Sequence, residues 1–313
     1  MYLGAHLGIA GGLDVAAREA HRIGAESLQI FAKSPQMWKG PPIAPEAADR
    51  FRAAVRSEGL RATAVHHGYL LNLANPDEAR QRQSIAAFED ELRRAELLGV
   101  DALIFHPGAH LGSGAEAAAR RIAESINTAF AHVPHGTVRA LLENSAGQGT
   151  TFGSRFEELA GVIDRVDDRD RVGVTLDTCH LFAAGFDFRT PEGYGAMFDA
   201  FDAMVGIPRL FAFHLNDAKA DLGSHLDRHE NIGAGRIGRE AFRSLVNDPR
   251  WARLPGFLET PLDSDDYARY SADLATLRSL LASAASGRGR NAPAPSSADG
   301  RRPAKRPGPA RGR

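Results

Sequence analysis

The chain has 313 residues, 43% of them apolar, which is enough for one large α/β barrel or two ordinary domains. Its single cysteine, Cys179, excludes an intramolecular disulfide and favours a reducing, cytoplasmic setting. No apolar run reaches the ~20 residues that span a membrane, and the first residues lack a basic, apolar leader. We therefore expect neither a membrane partner nor a signal peptide.

Charge is unevenly distributed along the chain. Residues 286–313 hold eight basic residues and one acidic residue, so the net charge of −1 leaves −8 on residues 1–285. The same segment is rich in Pro, Gly, Ser and Ala, which predicts a disordered basic C-terminal tail. Such a tail is typical either of polyanion binding or of a solubilising extension, and both interpretations stay open.

Short apolar runs alternate with helical patterns from the first residues onward. Strands are predicted over Tyr2–Gly8 and Ser27–Ala32, with helices from about Leu13 to Ile23 and from about Pro45 to Glu58. The next helix is predicted to start with Asn75 as its N-cap, because a proline follows at the first helical position.

Six of the apolar runs end on a single ionisable residue, and these residues are His66, His106, Glu143, Asp177, His214 and Glu259. A charge at the end of a buried strand is costly unless hydrogen bonds, an ion pair or a metal compensate it. Strand–helix alternation with ionisable residues at strand C-termini predicts a single (β/α)₈ TIM barrel over residues 1–285. A closing helix is expected from about Ser264 to Ala284.

The loops just beyond these strands add three candidates, His180, Asp227 and His229. Taken singly, a histidine at a strand end is more often a hydrogen-bonded structural residue. Together, imidazole nitrogens and carboxylate oxygens suit Zn²⁺ or Mn²⁺. Nine ligands are too many for one tetrahedral ion and suffice for two or three. Three divalent ions against four carboxylates leave the pocket positive, which suits a phosphodiester substrate.

The other histidines fall into two classes. Candidates for supporting the ligands or touching substrate are His6, His67, His110 and His225. Expected at the surface are His21, His132 and His135. We expect Cys179 to act as a small buried hydrophobe.

One glycine motif, Gly233–Gly238, matches the dinucleotide-binding pattern GxGxxG. That pattern is informative only after a strand in the first βαβ unit and with an acidic residue after the next strand. A polar loop precedes it here, so we expect a turn and no nucleotide cofactor.

A family resemblance is carried by short stretches between Tyr2 and the segment after Glu259: Gly4-Ala5-His6, Gly11-Gly12, Tyr69-Leu70-Leu71-Asn72-Leu73, Phe105-His106-Pro107-Gly108, Leu142–Gly149, Asp177-Thr178-Cys179-His180, His214–Lys219, Asp227-Arg228-His229 and Leu258-Glu259-Thr260. These stretches resemble the endonuclease IV family of apurinic/apyrimidinic (AP) endonucleases. The resemblance implies a DNA-repair barrel of the xylose-isomerase-like type that holds three zinc ions, with manganese as an alternative ion.

The resemblance also implies which residues share an ion. The first ion would be held by His66 and His106, with Glu143 bridging to the second. The second would be held also by Asp177, His214 and Glu259, and the third by His180, Asp227 and His229. Glu143 and Glu259 would bridge ions and hold the attacking hydroxide. The implied reaction hydrolyses the phosphodiester 5′ to an abasic site, giving a 3′-hydroxyl and a 5′-deoxyribose phosphate, and trims blocked 3′ ends.

Contacts with DNA follow from the same resemblance. Family members bend DNA and insert side chains from the loops after the second and third strands, and the matching positions are Gln36, Tyr69 and Leu70. Members often carry Arg where Gln36 stands, and a small or acidic residue where His67 stands. The implied partner is double-stranded DNA with abasic sites or blocked 3′ ends. We expect a cytoplasmic monomer, associated with the nucleoid in a bacterium.

Two other functions stay open. Sugar isomerases and epimerases of similar barrels also place Glu, Asp and His around one or two divalent ions. They need neither the third ligand set, His180 with Asp227 and His229, nor the DNA-inserting loops. A catalytically inactive barrel acting as a DNA-binding module would not require complete ligand sets.

Overall fold

Eight parallel strands close into a barrel in the computed structural model, which describes residues 1–263 and 266–282. The strands in chain order are β1 (Tyr2–Leu7), β2 (Ser27–Phe31), β3 (Ala62–His66), β4 (Ala102–Phe105), β5 (Arg139–Glu143), β6 (Val172–Asp177), β7 (Leu210–His214), β8 (Asp217–Ala218), β9 (His229–Glu230) and β10 (Pro255–Leu258). Neighbouring barrel strands pair in sequence, β10 closes the ring between β7 and β1, and β8 with β9 forms a separate antiparallel pair. The predicted (β/α)₈ TIM barrel is confirmed.

Helices cover the outside of the barrel and follow the strands in alternation. They are α1 (Leu13–Arg22), α2 (Pro45–Ser57), α3 (Glu78–Leu98), α4 (Ala115–His132), α5 (Phe156–Ile163), α6 (Thr178–Ala184), α7 (Pro191–Met204), α8 (Arg239–Asn247) and α9 (Ala268–Ser279). Short 3₁₀ helices precede β6, β7 and β10, at Arg169–Arg171, Ile207–Arg209 and Pro249–Trp251. Among the described residues, no helix has the length and apolarity needed to cross a bilayer.

Side chains along the barrel strands alternate between two cores because successive residues of a strand face opposite sides. On β4, Leu103 and Phe105 join the large core between strands and helices, whereas Ile104 belongs to a second, small cluster. That cluster draws residues from five strands, so it fills the barrel interior: Ala64, Ala102, Ile104, Leu141, Ala212 and Phe257. The alternation therefore fixes which positions face inward.

The inward positions two residues further along these strands are polar. From Ala64, Ile104, Leu141, Ala212 and Phe257, a step of two residues reaches His66, His106, Glu143, His214 and Glu259. Along the barrel axis, the interior thus changes from the small apolar cluster to a layer of ionisable groups at the C-terminal ends of the strands. This is the end at which TIM barrels place their active sites.

The start of α3 differs from the prediction. Asp77, and not Asn75, is the N-cap, because the Asp77 carboxylate accepts the backbone N–H of Arg80 at 2.9 Å. The Asn75 side chain instead accepts the N–H of Asp77 at 3.0 Å and so orients the capping residue. Both are good acceptors near a helix start, and local pattern alone does not choose between them.

The closing helix α9 is shorter at its start than predicted. Tyr267 has φ of 57°, in the left-handed region, so the helix begins only behind it at Ala268. The Tyr267 hydroxyl accepts the N–H of Gly8 at 2.9 Å, a contact between residues 259 positions apart that the local sequence does not reveal. Residues 264–265 and 283–284 of the predicted helix, the predicted boundary at 285 and the basic tail 286–313 lie outside the described residues.

Candidate metal centre

The nine predicted ligands lie together at the C-terminal end of the barrel. Three sets have potential ligand atoms within 4.8 Å of one another: His66, His106 and Glu143; then Glu143, Asp177, His214 and Glu259; then His180, Asp227 and His229. These are the three sets that the family resemblance implies, with Glu143 shared between two of them. The residues are therefore placed to bind metal ions, and the number and identity of the ions stay predictions.

Two further groupings overlap the three sets. One joins His66, His214 and Glu259, and the other joins Asp177, Cys179 and His229. Cys179 is a poor ligand here, because burial raises the pKa of its thiol, which lies 3.5 Å from the backbone carbonyl of Arg228. It is buried, as predicted.

Backbone carbonyls orient three of the histidine rings. The Nδ1–H groups of His66, His180 and His229 donate to the carbonyls of His67, Asn144 and Glu259, at 2.7, 2.9 and 3.1 Å. A ring whose Nδ1 carries the proton has its lone pair on Nε2 when neutral. In all three rings Nε2 faces carboxylates. Metal-binding histidines are commonly held in this way, with one ring nitrogen donating to a protein oxygen and the other free for the ion.

Two of these nitrogens are buried without a hydrogen-bond partner. His180 Nε2 and His229 Nε2 each lie 3.2 Å from an oxygen of Asp227, yet neither makes a hydrogen bond among the described residues. Leaving a buried polar atom unpaired costs about 1–3 kcal/mol. A cation between the two rings and the carboxylate would satisfy all three groups, so the donor set fits a metal ion.

Asp177 ends a strand, starts a helix and faces the site at once. Its Oδ1 accepts the N–H of His180 at 2.8 Å and so caps α6, while its Oδ2 accepts from the Asn216 amide at 2.7 Å. The Asn216 Oδ1 in turn accepts the N–H of Glu259 at 2.9 Å. The side chain of Asp177 is thus held by its own helix and by a neighbouring loop, which leaves it a single orientation.

Carboxylates and imidazoles shift each other's pKa in this layer. Burial alone would lower the pKa of His214, but Glu143 and Glu259 outweigh it and raise that pKa to about 9. Burial alone would also lower the pKa of His229, but Asp177 and Asp227 outweigh it and raise that pKa to about 9. The pKa of the Glu143 carboxyl is held well below its ordinary value by His106 and His214, against its own burial. The carboxylates therefore stay ionised and attract cations.

A cleft of about 500 Å³ opens over this layer. Its walls include His6, Phe31, Tyr69, Tyr267 and Tyr270, and its floor includes ligands from all three sets. A second cavity of about 450 Å³ adjoins it and shares Tyr69, His106, His180 and Asp227. The two cavities together form a trough over the ligand layer.

The three predicted DNA contacts are all exposed. Tyr69 is 70% exposed and Leu70 37%, both on the loop after β3, and Gln36 is exposed on the loop after β2. Tyr69 lines both cavities and its ring meets that of Phe31 edge to face, with centroids 5.8 Å apart. Gln36 lines neither. Their contact with DNA stays a prediction.

The four predicted supporting histidines are placed differently. His6 lies in the site, with Nδ1 2.8 Å from Glu259 Oε1. His67 is buried behind it and donates to the Gly68 carbonyl at 2.9 Å. His110 and His225 shape loops instead: Nδ1 of His110 accepts two backbone N–H groups, and His225 donates to the Ala146 carbonyl at 3.0 Å. Within the described part of the chain, His6 is the one of the four whose ring hydrogen-bonds to a predicted ligand side chain, whereas His67 contacts the ligand His66 through its backbone carbonyl.

Gln29 lies inside the site and was not among the residues predicted from the sequence. It is fully buried on the inward face of β2, and its amide contacts both His214 and Glu259. The available signal was an amide in the middle of an apolar strand, where every polar group needs a partner. Its partners are 185 and 230 residues away in sequence, so only closure of the barrel identifies them.

The glycine motif at 233–238 forms a turn before α8, as predicted. Its backbone N–H groups enclose the carboxylate of Asp217, to which Gly233, Gly235 and Ile237 donate at 2.9, 3.1 and 2.9 Å. Gly235 leaves room for this contact, because an added Cβ would lie 2.5 Å from Asp217 Oδ1. The loop is thus filled by a side chain of the protein itself.

Known proteins resemble this chain in both sequence and fold. A family model described as a xylose isomerase-like TIM barrel matches residues 17–280. A probable endonuclease 4 from Chloroflexus aurantiacus is 47% identical over 278 residues, which are 89% of this chain and 97% of the relative.

Solved structures agree. The endonuclease IV of Thermus thermophilus superposes with a TM-score of 0.79 at 34% identity, over 90% of this chain and 98% of that one. A D-psicose 3-epimerase from Clostridium cellulolyticum reaches a TM-score of 0.65 at 17% identity, over 90% and 99%, which shows a shared fold alone. On its sequence, its barrel and its grouped ligands, the chain belongs to the endonuclease IV family.

Proposed function

We propose that this protein is a DNA-repair AP endonuclease that hydrolyses the phosphodiester on the 5′ side of an abasic site. The products are a 3′-hydroxyl and a 5′-deoxyribose phosphate, and blocked 3′ ends are trimmed by the same chemistry. The observation that carries the proposal is the set of three adjoining ligand groups on the floor of a trough whose rim exposes Tyr69 and Leu70. Endonuclease IV relatives support this choice of substrate.

The ligand groups fit three divalent cations, zinc or manganese. Bound at this layer, such ions would lower the pKa of water and stabilise charge on the attacking and leaving oxygens. Three divalent ions against Glu143, Asp177, Asp227 and Glu259 give the floor a net positive charge, which attracts the phosphate. Glu143 is fully buried and shared by two groups, so it would set the spacing of the ions.

The rim would select damaged DNA. An exposed aromatic ring and an exposed leucine can wedge into a base stack, and unstacking is cheapest where a base is already missing. Tyr69 lines both cavities and Leu70 lines the second, which supports a role for both side chains in holding a flipped nucleotide out of the duplex. An isomerase acting on a free sugar has no use for these exposed groups.

The test is nicking of a 5′-labelled duplex that carries one tetrahydrofuran abasic analogue, with no metal added. We expect one nick 5′ to the analogue with a 3′-hydroxyl, and none in a duplex with an intact base. The Asp227→Asn variant should lose at least about a hundredfold in rate, because it weakens one ligand set. His135→Ala, at an exposed histidine just before the N-terminal end of β5 and so at the opposite end of that strand from Glu143, is the matched control and should keep full rate.

Absence of nicking by the wild-type protein, also after zinc or manganese is restored, would overturn the proposal. Interconversion of ketoses under the same conditions would then identify the protein as an epimerase of the barrel type that shares its fold.

A further inference from the structure

The amide of Gln29 holds two of the proposed ligands at once. Its Oε1 lies 2.9 Å from Nε2 of His214, and its Nε2 lies 2.7 Å from Oε1 of Glu259. All three side chains belong to the inward face of the barrel, on β2, β7 and the end of β10, and Gln29 and His214 are fully buried. Solvent therefore does not compete for these hydrogen bonds.

The orientation of the amide follows from its partners. An ionised carboxylate can only accept, so the amide nitrogen of Gln29 must face Glu259. Its oxygen then faces His214, and that ring must donate from Nε2. A neutral His214 consequently carries its lone pair on Nδ1, which lies 2.9 Å from Glu143 and 3.3 Å from Glu259.

This tautomer is the opposite of the one imposed on the other oriented rings. His66, His180 and His229 donate from Nδ1 and present Nε2, whereas His214 donates from Nε2 and presents Nδ1. Backbone carbonyls orient the first three. For His214 the only acceptor at Nε2 among the described residues is the side chain of Gln29.

We propose that Gln29 is a positioning residue that fixes the His214 tautomer and the Glu259 rotamer, and so builds the ligand group formed by Glu143, Asp177, His214 and Glu259. The inference rests on the proposed function of that group as a metal site. It goes beyond the nine ligands, because Gln29 touches no ion and acts through two residues that do.

Three variants separate this role from general loosening of β2. Gln29→Leu removes both of these hydrogen bonds, together with the 2.9 Å contact between the Gln29 amide nitrogen and Nδ1 of His6, at nearly constant volume. Gln29→Glu keeps an acceptor for His214 but places a second carboxylate against Glu259. Ser27→Ala is the matched control. Ser27 is fully buried two residues earlier on the same face of β2, and its hydroxyl donates to the Tyr2 carbonyl at 2.9 Å, away from the ligands.

The first readout is metal retention of the purified holoenzyme against a competing chelator, followed by metal analysis. We expect Gln29→Leu to hold roughly one ion about 10–100-fold more weakly, with the others unchanged. Gln29→Glu should also weaken that ion, and Ser27→Ala should match the wild type. Equal retention by Gln29→Leu and Ser27→Ala would overturn the inference.

The second readout is the tautomer of His214, from nitrogen-detected or long-range proton–nitrogen spectra of histidine-labelled, zinc-loaded protein. The wild type and Gln29→Glu should show a hydrogen-bonded proton on His214 Nε2 that exchanges slowly with solvent, and Gln29→Leu should lose that slowly exchanging signal. An unchanged His214 signal in Gln29→Leu would overturn the positioning role of Gln29.

The outcomes also separate this inference from the proposed function. Should the wild type nick abasic DNA while Gln29→Leu keeps its metal and its His214 tautomer, the inference alone fails. Should the wild type bind no metal at these residues, the metal-dependent function fails as well.

Discussion

Lys33, on the loop after β2, and Glu91, on α3, form a buried ion pair, with side chains only 2% and 1% exposed. Asp90 and Arg94 extend it, since Asp90 lies 3.7 Å from the Lys33 ammonium and 2.8 Å from the Arg94 guanidinium. Arg94 also donates to the carbonyls of Gly40 and Pro41. The network therefore ties the loop that carries Gln36 to the helix layer.

Removing the ammonium should be strongly destabilising. In Lys33→Met, Glu91 would be left as a buried carboxylate without its main partner, and we expect a loss of about 3–5 kcal/mol in the free energy of unfolding. The double variant Lys33→Met with Glu91→Leu should recover most of this loss, because no charge is then left buried. Urea denaturation measures both. Lys39→Met, at an exposed lysine of the same loop, is the control and should unfold as the wild type does.

Exposed apolar groups on the rim should contribute to DNA affinity and not to stability. Leu70→Ala should bind a tetrahydrofuran duplex about tenfold more weakly, because a wedging side chain is lost. Leu97→Ala is closely matched, since Leu97 is 38% exposed against 37% for Leu70, but it lies on α3 away from the trough. Fluorescence anisotropy in the absence of turnover gives both affinities. Equal affinities for the two variants would contradict the assignment of Leu70 to the DNA interface.

Metal removal should lower thermal stability as well as activity. Any ligand that binds only the folded state stabilises it, by about 2.7 kcal/mol at a concentration one hundred times its Kd. For a domain of this size that corresponds to a fall in Tm of roughly 5–10 °C per tightly bound ion removed. Calorimetry before and after chelation, with metal content measured on the same samples, tests this. Full recovery of Tm is expected when zinc is returned. A Tm that does not change with metal content would contradict metal binding at these residues.

The tail should govern how binding depends on salt. Residues 286–313 carry eight basic residues, and each phosphate they neutralise adds about 0.9 to the slope of log K against log salt. Deleting them should flatten that slope for both damaged and intact duplex. A full-length control with the eight basic residues changed to Gln separates charge from length and should behave like the deletion. An unchanged slope would assign the tail to solubility instead.

Asp248 should make stability depend on pH. Burial raises the pKa of its carboxyl, but hydrogen bonds from Arg250 and Tyr194 outweigh this and lower the pKa below its ordinary value. A lowered pKa gives stability that is present near neutral pH and is lost as pH falls through the folded-state value. Asp248→Asn should therefore cost about 1–2 kcal/mol at pH 7 and progressively less below about pH 4. Asp170→Asn, at a fully exposed aspartate, is the control and should leave the free energy of unfolding at pH 7 unchanged.

Local pattern predicted the barrel because each strand carries its own evidence. The short apolar run that ends on His66, His106 or Glu143 is visible within each strand, and the ligand types follow from it. What joins distant strands was not visible. The role of Gln29 cannot be inferred from β2 alone, because its partners lie on β7 and at the end of β10, which only the closed barrel brings near. Tyr267 likewise delays the start of α9, and its hydroxyl contacts Gly8, which is 259 residues away in sequence.

The glycine loop at 233–238 has a consequence for how the third ligand set is assembled. It resembles loops that become ordered only around a phosphate, yet its anion is the carboxylate of Asp217, which is covalently part of the chain. Asp217 also sits on β8, which pairs with the β9 residue His229 through Ala218. The segment that carries Asp227 and His229 is therefore preorganised by the carboxylate of Asp217. It does not need DNA, a nucleotide or another bound anion to hold its shape.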